Sequence, residues 1–312
     1  MVYHPYFRGK QYELITVREN ASLLAKSGFV PIIEPVKETL SGLERALEAV
    51  CEAKGNAVVI VNPHHGDHSD DGADISALLG KKFLQSINIS AGVLLGEDMT
   101  VEEALACLGE HKKHNVTLVH AGFTDAKALV AGIGADLPKQ RQIFFEPYCG
   151  KLYRKHFADC ERILLRNGFV RRNNKDYPDV ELFSDLHVTY DEEGMNGFGD
   201  FLIVGDEYSE SGGPAYAVAI HLTFIDSDKD DAMFIYHFKS KRQDTPTDPA
   251  GKFAEALDVM IKKLNEPGSK VFESMAVKEF RDLHAKKHYP GLGYIKKLSM
   301  QHHIETLSNY FD

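Results

Sequence analysis

Short apolar runs alternate along the first half of the chain with stretches in which apolar residues recur every three or four positions, the two periodicities of β-strands and amphipathic α-helices. PIIEP (31–35), NAVVIVN (56–62), SAGVLL (90–95), VTLVHA (116–121) and RQIFFE (141–146) predict strands, and YELITV (12–17) predicts one before them. The unbroken apolar run of 56–62 is the pattern of a parallel strand covered on both faces. Helical spacing predicts helices over 19–27, 41–53, 74–86, 100–110, 124–133 and 152–166. Ser41 with Glu44, and Thr100 with Glu103, have the spacing of capping boxes.

Six strand-then-helix units at short spacing do not fit a sandwich or a bundle. No GxGxxG or P-loop follows the first strand, which removes the usual support for an open dinucleotide-binding sheet. The predicted fold is α/β: a TIM-barrel-like (β/α) barrel with an added β-hairpin and C-terminal helices. ELFSD (181–185) and DFLIVG (200–205) are candidates for strands seven and eight. YAVAIHLTFI (216–225) and AMFIYHFKS (232–240) predict an antiparallel hairpin about SDKDD (227–231). Helical patterns at 252–264, 269–288 and 299–311 follow, with Pro290-Gly291-Leu292-Gly293 as a turn. No hinge composition interrupts them. The reading is one domain over 1–312, with a hairpin extension at 206–240 and a helical layer at 251–312.

Composition narrows the function classes. With 36 Lys and Arg against 46 Asp and Glu, the net charge of −10 argues against broad binding of nucleic acid, whose phosphates are met by excess cations. The four cysteines contain no CxxC pair, which disfavours a zinc knuckle or a disulfide scaffold; Cys149, beside an EP loop, is the one to test for reactivity. No apolar stretch reaches the length of a membrane span and the N-terminus has no signal-like apolar core, so no membrane partner and a cytoplasmic location are expected.

Several predicted strands end in a charged or polar residue, and a barrel gathers the C-terminal ends of its strands at one rim. Glu34 and Glu146 are each followed by proline, which holds the preceding residue extended and available to that rim. Both, with His120, Asp185, His187 and Asp200, are the candidate catalytic residues. His64, Asp67 and His68 crowd one loop with donor types that bind divalent metal ions, although the spacing matches no established metal motif. Asp185 and His187 share a face if their strand continues, an arrangement in which a carboxylate orients an imidazole. Arg8 and Lys10 would neutralise an anionic ligand, or pair with Glu34 or Glu146. Their placement before a strand at 12–17 puts them on the face of the barrel that serves stability. Backbone amides near Ser209, Ser211, Gly212 and Gly213 form a candidate anion cradle. His221, in an apolar strand, reads as a core histidine.

PYFRGKQYEL (5–14), PIIEPVK (31–37), ELFSDLHVTY (181–190), GFGDFLIVGDEYSESGGPAYAVAIHLT (197–223), DTPTDPAGKF (244–253) and PGLGYIKKLSMQHH (290–303) together resemble the poorly characterised beta-protein family of bacterial and phage genomes. The resemblance implies no reaction, cofactor or catalytic residue. The occurrence of that family on mobile elements implies a role in phage–host conflict or in regulating a neighbouring gene product.

Two readings stand. In one, the barrel is a hydrolase or lyase acting on a small anionic or phosphorylated metabolite through rim carboxylates and histidines, with a divalent metal ion as its candidate cofactor. In the other, it is a non-catalytic module that binds a partner protein, its acidic segments at 191–193, 206–210 and 226–231 steering a basic surface.

Overall fold

A computed structural model describes residues 2–210 and 216–312. Its strands are β1 (Tyr6–Phe7), β2 (Ile32–Ile33), β3 (Ala57–Ile60), β4 (Ile89–Gly96), β5 (Asn115–Ala121), β6 (Arg141–Phe145), β7 (Arg162–Leu165), β8 (Val180–Ser184), β9 (Gly197–Gly199), β10 (Ala219–Asp226) and β11 (Ala232–Lys239). Its α-helices are α1 (Gln11–Glu19), α2 (Ala21–Lys26), α3 (Ser41–Glu52), α4 (Ala73–Leu78), α5 (Val101–His111), α6 (Ala126–Ile133), α7 (Lys151–Arg154), α8 (Leu186–Thr189), α9 (Pro249–Leu264), α10 (Met275–Lys286) and α11 (Leu292–Phe311). The chain forms two compact units, Met1–Arg166 with Thr189–Phe201, and Asn167–Val188 with Leu202–Asp312.

The first unit is an eight-stranded sheet in the order β1-β2-β3-β4-β5-β6-β7-β9, parallel at every pairing. Its two edges meet: Phe198 donates to the Val2 carbonyl at 2.8 Å, His4 to Phe198 at 2.8 Å, and Tyr6 to Asp200 at 2.9 Å. The sheet is thus the TIM-barrel-like ring expected from the sequence, with helices between its strands. Alternate residues pack inside it, including Tyr6, Ile32, Ile60, Leu94, Val119, Ile143, Leu165 and Phe201. Parallel strands with both faces covered explain why the runs looked continuous in sequence.

Three strands differ from expectation. Residues 12–17 are helical, and the first strand lies upstream at Tyr6–Phe7. The β-branched Ile-Thr-Val run suits a strand by propensity, but Glu13, Thr16 and Val17 are buried at helical spacing. Gly9 ends β1 at φ +61°, where a Cβ would lie 2.7 Å from the Glu34 carbonyl oxygen. Residues 162–165, read as part of a helix, are β7, because α7 stops after one turn. The last barrel strand is Gly197–Gly199, which few side chains announce. β7 and β9 take the seventh and eighth places expected for ELFSD and DFLIVG, since 180–184 pairs instead with β11. Of the two capping boxes, only that of Thr100 and Glu103 forms; the cap of α3 is Leu40, with no side-chain bond.

The second unit contains the expected hairpin, β10 with β11 in register from Ala219 opposite Lys239 to Asp226 opposite Ala232. β8 adds an antiparallel edge, giving the order β10-β11-β8. Val218, Ile220, Leu222, Phe224 and Phe238 of the hairpin region share a core with α9, α10 and α11. Asp248 caps α9 ahead of Pro249 in its first turn, and Ser274 caps α10. His302 and His303 are fully buried in α11, bonded to Ser274 and Thr223. Among the described residues, no helix is long and apolar enough to cross a membrane.

Barrel closure leaves no room at Gly199, where a Cβ would fall 2.1 Å from the His4 carbonyl oxygen and 2.3 Å from a Leu165 methyl. Gly199→Ala is therefore expected to cost about 3 kcal/mol or more in urea denaturation. Gly80→Ala, whose Cβ meets nothing within 4 Å, should stay within about 0.5 kcal/mol.

Candidate functional site

The upstream placement of β1 changes the role of the N-terminal segment. Arg8 follows β1 directly, so it stands at the C-terminal end of a strand, on the rim where barrel chemistry is built, and not on the stability face. Glu34 follows β2 at the same end. The two form an ion pair in which Glu34 is 0% and Arg8 6% exposed. Glu34 also accepts from the Tyr6 hydroxyl at 2.9 Å and from the backbone amides of His64 and His65 at 3.0 and 3.2 Å. Arg8 lies 5.3 Å from the Tyr6 ring centroid and 5.6 Å from that of Phe201, a distance suited to cation–π attraction. Its own backbone amide donates to Glu13 on α1. One carboxylate thus ties together the exits of β1, β2 and β3.

The turn after β3 is shaped by Gly66, at φ +82°, where a Cβ would sit 2.2 Å from the Val36 carbonyl oxygen. His64 is exposed and His65 half-buried, their rings edge to face at 4.7 Å. Burial lowers the pKa of His65; the Glu34 charge opposes this, while Arg8 and His64 add to it. Asp67 accepts from the Glu38 amide at 2.7 Å, and His68 Nε2 lies 3.2 Å from the Lys37 carbonyl. These two residues fasten the loop to residues 36–38. Among the described residues, no three His, Cys, Asp or Glu side chains are grouped to hold a metal ion.

Across the β6 and β7 exits, Glu146 receives two bonds from Arg166, at 2.7 and 2.8 Å. Their side chains are 32% and 27% exposed, so this pair, unlike Arg8–Glu34, reaches solvent. Arg166 is not among the sequence candidates because helical spacing predicts a helix over 152–166, which hides the strand that ends beside it. Its signal was the apolar run RILL ending in a cation. Asn62, also at a strand end, bonds both the amide and the carbonyl of Leu94 and extends the β3–β4 ladder.

The remaining candidates lie elsewhere. Strand alternation turns His120 away from the interior, since its neighbours Val119 and Ala121 face inward. It is stacked on Phe144 at 4.7 Å and bonded to Tyr153 and Gln142, and burial pushes its pKa down to about 4. Asp200 alternates with the inward Phe201 and accepts from the Tyr3 hydroxyl at 2.8 Å. Both are buried supports of the barrel wall. Asp185 and His187 belong to the second unit. The strand ends at Ser184 and α8 begins at Leu186, so the two-residue repeat that would align them is broken. His187 is buried with its ring 5.2 Å from that of Tyr310, while Asp185 is exposed. Lys10 is the N-cap position of α1, without a side-chain capping bond. Of the candidate anion cradle, Ser211, Gly212 and Gly213 lie outside the described residues.

Cys149 is buried, its Sγ 3.3 Å from the His120 carbonyl oxygen, and desolvation pushes its pKa up to about 12. Because only the thiolate reacts, iodoacetamide at pH 8 should leave native Cys149 unlabelled and label it after denaturation, as mapped by peptide mass spectrometry. A second test follows from His120, which the fold keeps neutral. A histidine whose pKa is lower folded than unfolded contributes fully above the unfolded value of 6.5 and loses that contribution as pH falls toward 4. Stability measured by urea titration should decline across that window, and less steeply in His120→Gln.

No protein-family model matches this chain, and no curated protein matches it. The resemblance to the beta-protein family is thereby corrected, and its implied link to phage–host conflict lapses with it: the chain is a mixed α/β protein built on a TIM-barrel-like ring.

Proposed function

We propose that the C-terminal mouth of the barrel binds a small anionic metabolite and acts on it by proton transfer, as a hydrolase or lyase. The observation that carries this reading is the Arg8–Glu34 pair, buried at the strand ends beneath the His64–His65 turn. Removing two charges from water is costly, and a buried ion pair adds little stability over apolar packing. Its value here is geometric, because it fixes the histidine backbone at the rim where barrel enzymes place their chemistry. Arg166, oriented by the two bonds it donates to Glu146 and partly open to solvent, is suited to meet a carboxylate or phosphate. His65, whose lowered pKa favours the neutral imidazole at pH 7, is suited to act as the base. Glu34 is then a positioning residue, since all its donors are protein groups.

A second reading, recognition of a partner protein, is favoured by one observation. β8 is an edge strand carrying Val180 and Leu182 at 44% and 56% exposure, an apolar edge of the kind that pairs with another chain.

The deciding experiment incubates wild type, His65→Asn and Arg166→Met with pooled nucleotides and phosphorylated metabolites and follows turnover by mass spectrometry. The first reading expects turnover in wild type, a fall in kcat of about 100-fold or more in His65→Asn, and a raised KM in Arg166→Met, with folding unchanged. Turnover absent throughout, or untouched by both variants, would remove the mouth from the chemistry.

A further inference from the structure

The second unit holds a chain of ionisable side chains that the proposed reaction does not use. Arg172 pairs with both oxygens of Glu181 on β8, one bond at 2.9 Å. Glu181 Oε1 lies 3.1 Å from Nε2 of His237 on β11. Nδ1 of His237 lies 2.7 Å from Nδ1 of His221, its register partner on β10. Tyr177 stacks on His237 at 4.5 Å and 18°. Phe169 and Tyr177 present rings to His221 at 5.1 and 4.9 Å.

The bonding order follows from donor arithmetic. Burial pushes the pKa of His237 down to about 4 and holds that of His221 well below the usual imidazole value, with the charges of His237 and Lys296 adding to the effect at His221. Both rings are then neutral near pH 7, each with one N–H and one lone pair. Glu181 can only accept, so His237 carries its proton on Nε2 and offers the lone pair of Nδ1. His221 must donate to it from Nδ1, which leaves the lone pair of His221 on Nε2. Among the described residues, that nitrogen makes no hydrogen bond, and His221 retains partial exposure.

We propose that Arg172, Glu181, His237 and His221 form a proton relay that presents Nε2 of His221 as the base of a second acid–base site, distinct from the barrel mouth. In the step it supports, the Nε2 lone pair takes a proton from a water or hydroxyl, breaking that O–H bond and leaving its electron pair on the oxygen as hydroxide or alkoxide. The new positive charge is spread along Nδ1–H···Nδ1 toward the Glu181 carboxylate. Glu181 and His237 are positioning residues in the sense of other carboxylate–histidine pairs. The Lys296 cation, close enough to act on His221, favours a substrate carrying a carboxylate or phosphate beside the reacting hydroxyl.

A test independent of knowing the substrate is acylation by diethyl pyrocarbonate, which attacks the lone pair of neutral imidazole. N-acetylhistidine serves as internal standard and peptide mass spectrometry locates the adduct. An ordinary imidazole of pKa about 6.5 slows about eightfold between pH 7 and pH 5.5 as it protonates. The relay predicts that His221 is labelled and slows less than about twofold, because its Nε2 stays unprotonated. The other charged or titratable groups that face the pair are Arg172, Lys239 and Lys296, the Glu181 carboxylate and the Tyr177 phenol, whose pKa burial raises. Glu181→Gln, with folding checked by circular dichroism, should slow His221 labelling about tenfold. An unlabelled His221 in wild type, an eightfold fall matching the standard, or a folded Glu181→Gln protein labelled at the wild-type rate would each overturn the relay and leave a packing network.

Discussion

The bonds between residues 2–6 and 198–200 are the constraint on which the first unit depends. Without them the parallel sheet would have two open edges, and the exits of β1 and β9 would not lie side by side. With them, Tyr6 and Phe201 face the same interior, and Arg8 is held over both rings. The requirement explains the poverty of the last strand. At Gly199 the backbone of the first strand comes so close that no side chain fits, and that position gives up β propensity to let the ring close.

Closure also sets the electrostatics of the rim. A carboxylate with no exposure must be surrounded by donors, and Glu34 is, by one guanidinium, one phenol and two backbone amides. Each donor comes from a different stretch of chain or a separate peptide, so their convergence belongs to the closed barrel alone. Glu146 and Arg166 solve the simpler problem of a partly solvated pair, where two parallel bonds are enough to fix orientation. The contrast separates a pair enclosed by the rim from one that reaches solvent.

Histidine environments vary in the same way. His120, His302 and His237 are each driven down to about 4 by burial, yet their bonding differs. His120 and His302 have both ring nitrogens bonded inside the protein, which completes them as structural residues. His237 is also bonded at both nitrogens, but one partner is a second imidazole, so the chain of bonds continues to His221. Burial is common to all three; the partners of the ring nitrogens distinguish them.

By itself, the sequence determined the α/β class, the repeating strand-then-helix units, the capping box at Thr100, the hairpin about 227–231 and the rim placement of Glu34 and Glu146. These follow from local periodicity, turn chemistry and proline, which act over a few residues. Tertiary structure decided the rest. It made 12–17 a helix because burial of Glu13, Thr16 and Val17 outweighed β propensity. It also recruited a glycine-rich triplet as the eighth strand and moved 180–184 into another sheet. The direction of a strand-end side chain depends on the parity of its position against neighbours far away in sequence, which turned His120 and Asp200 outward. Arg8 became a rim residue only once β1 was placed ahead of it, and the His221–His237 pair exists only through cross-strand register. Each of these depends on contacts between distant segments, and such contacts leave no mark in local periodicity.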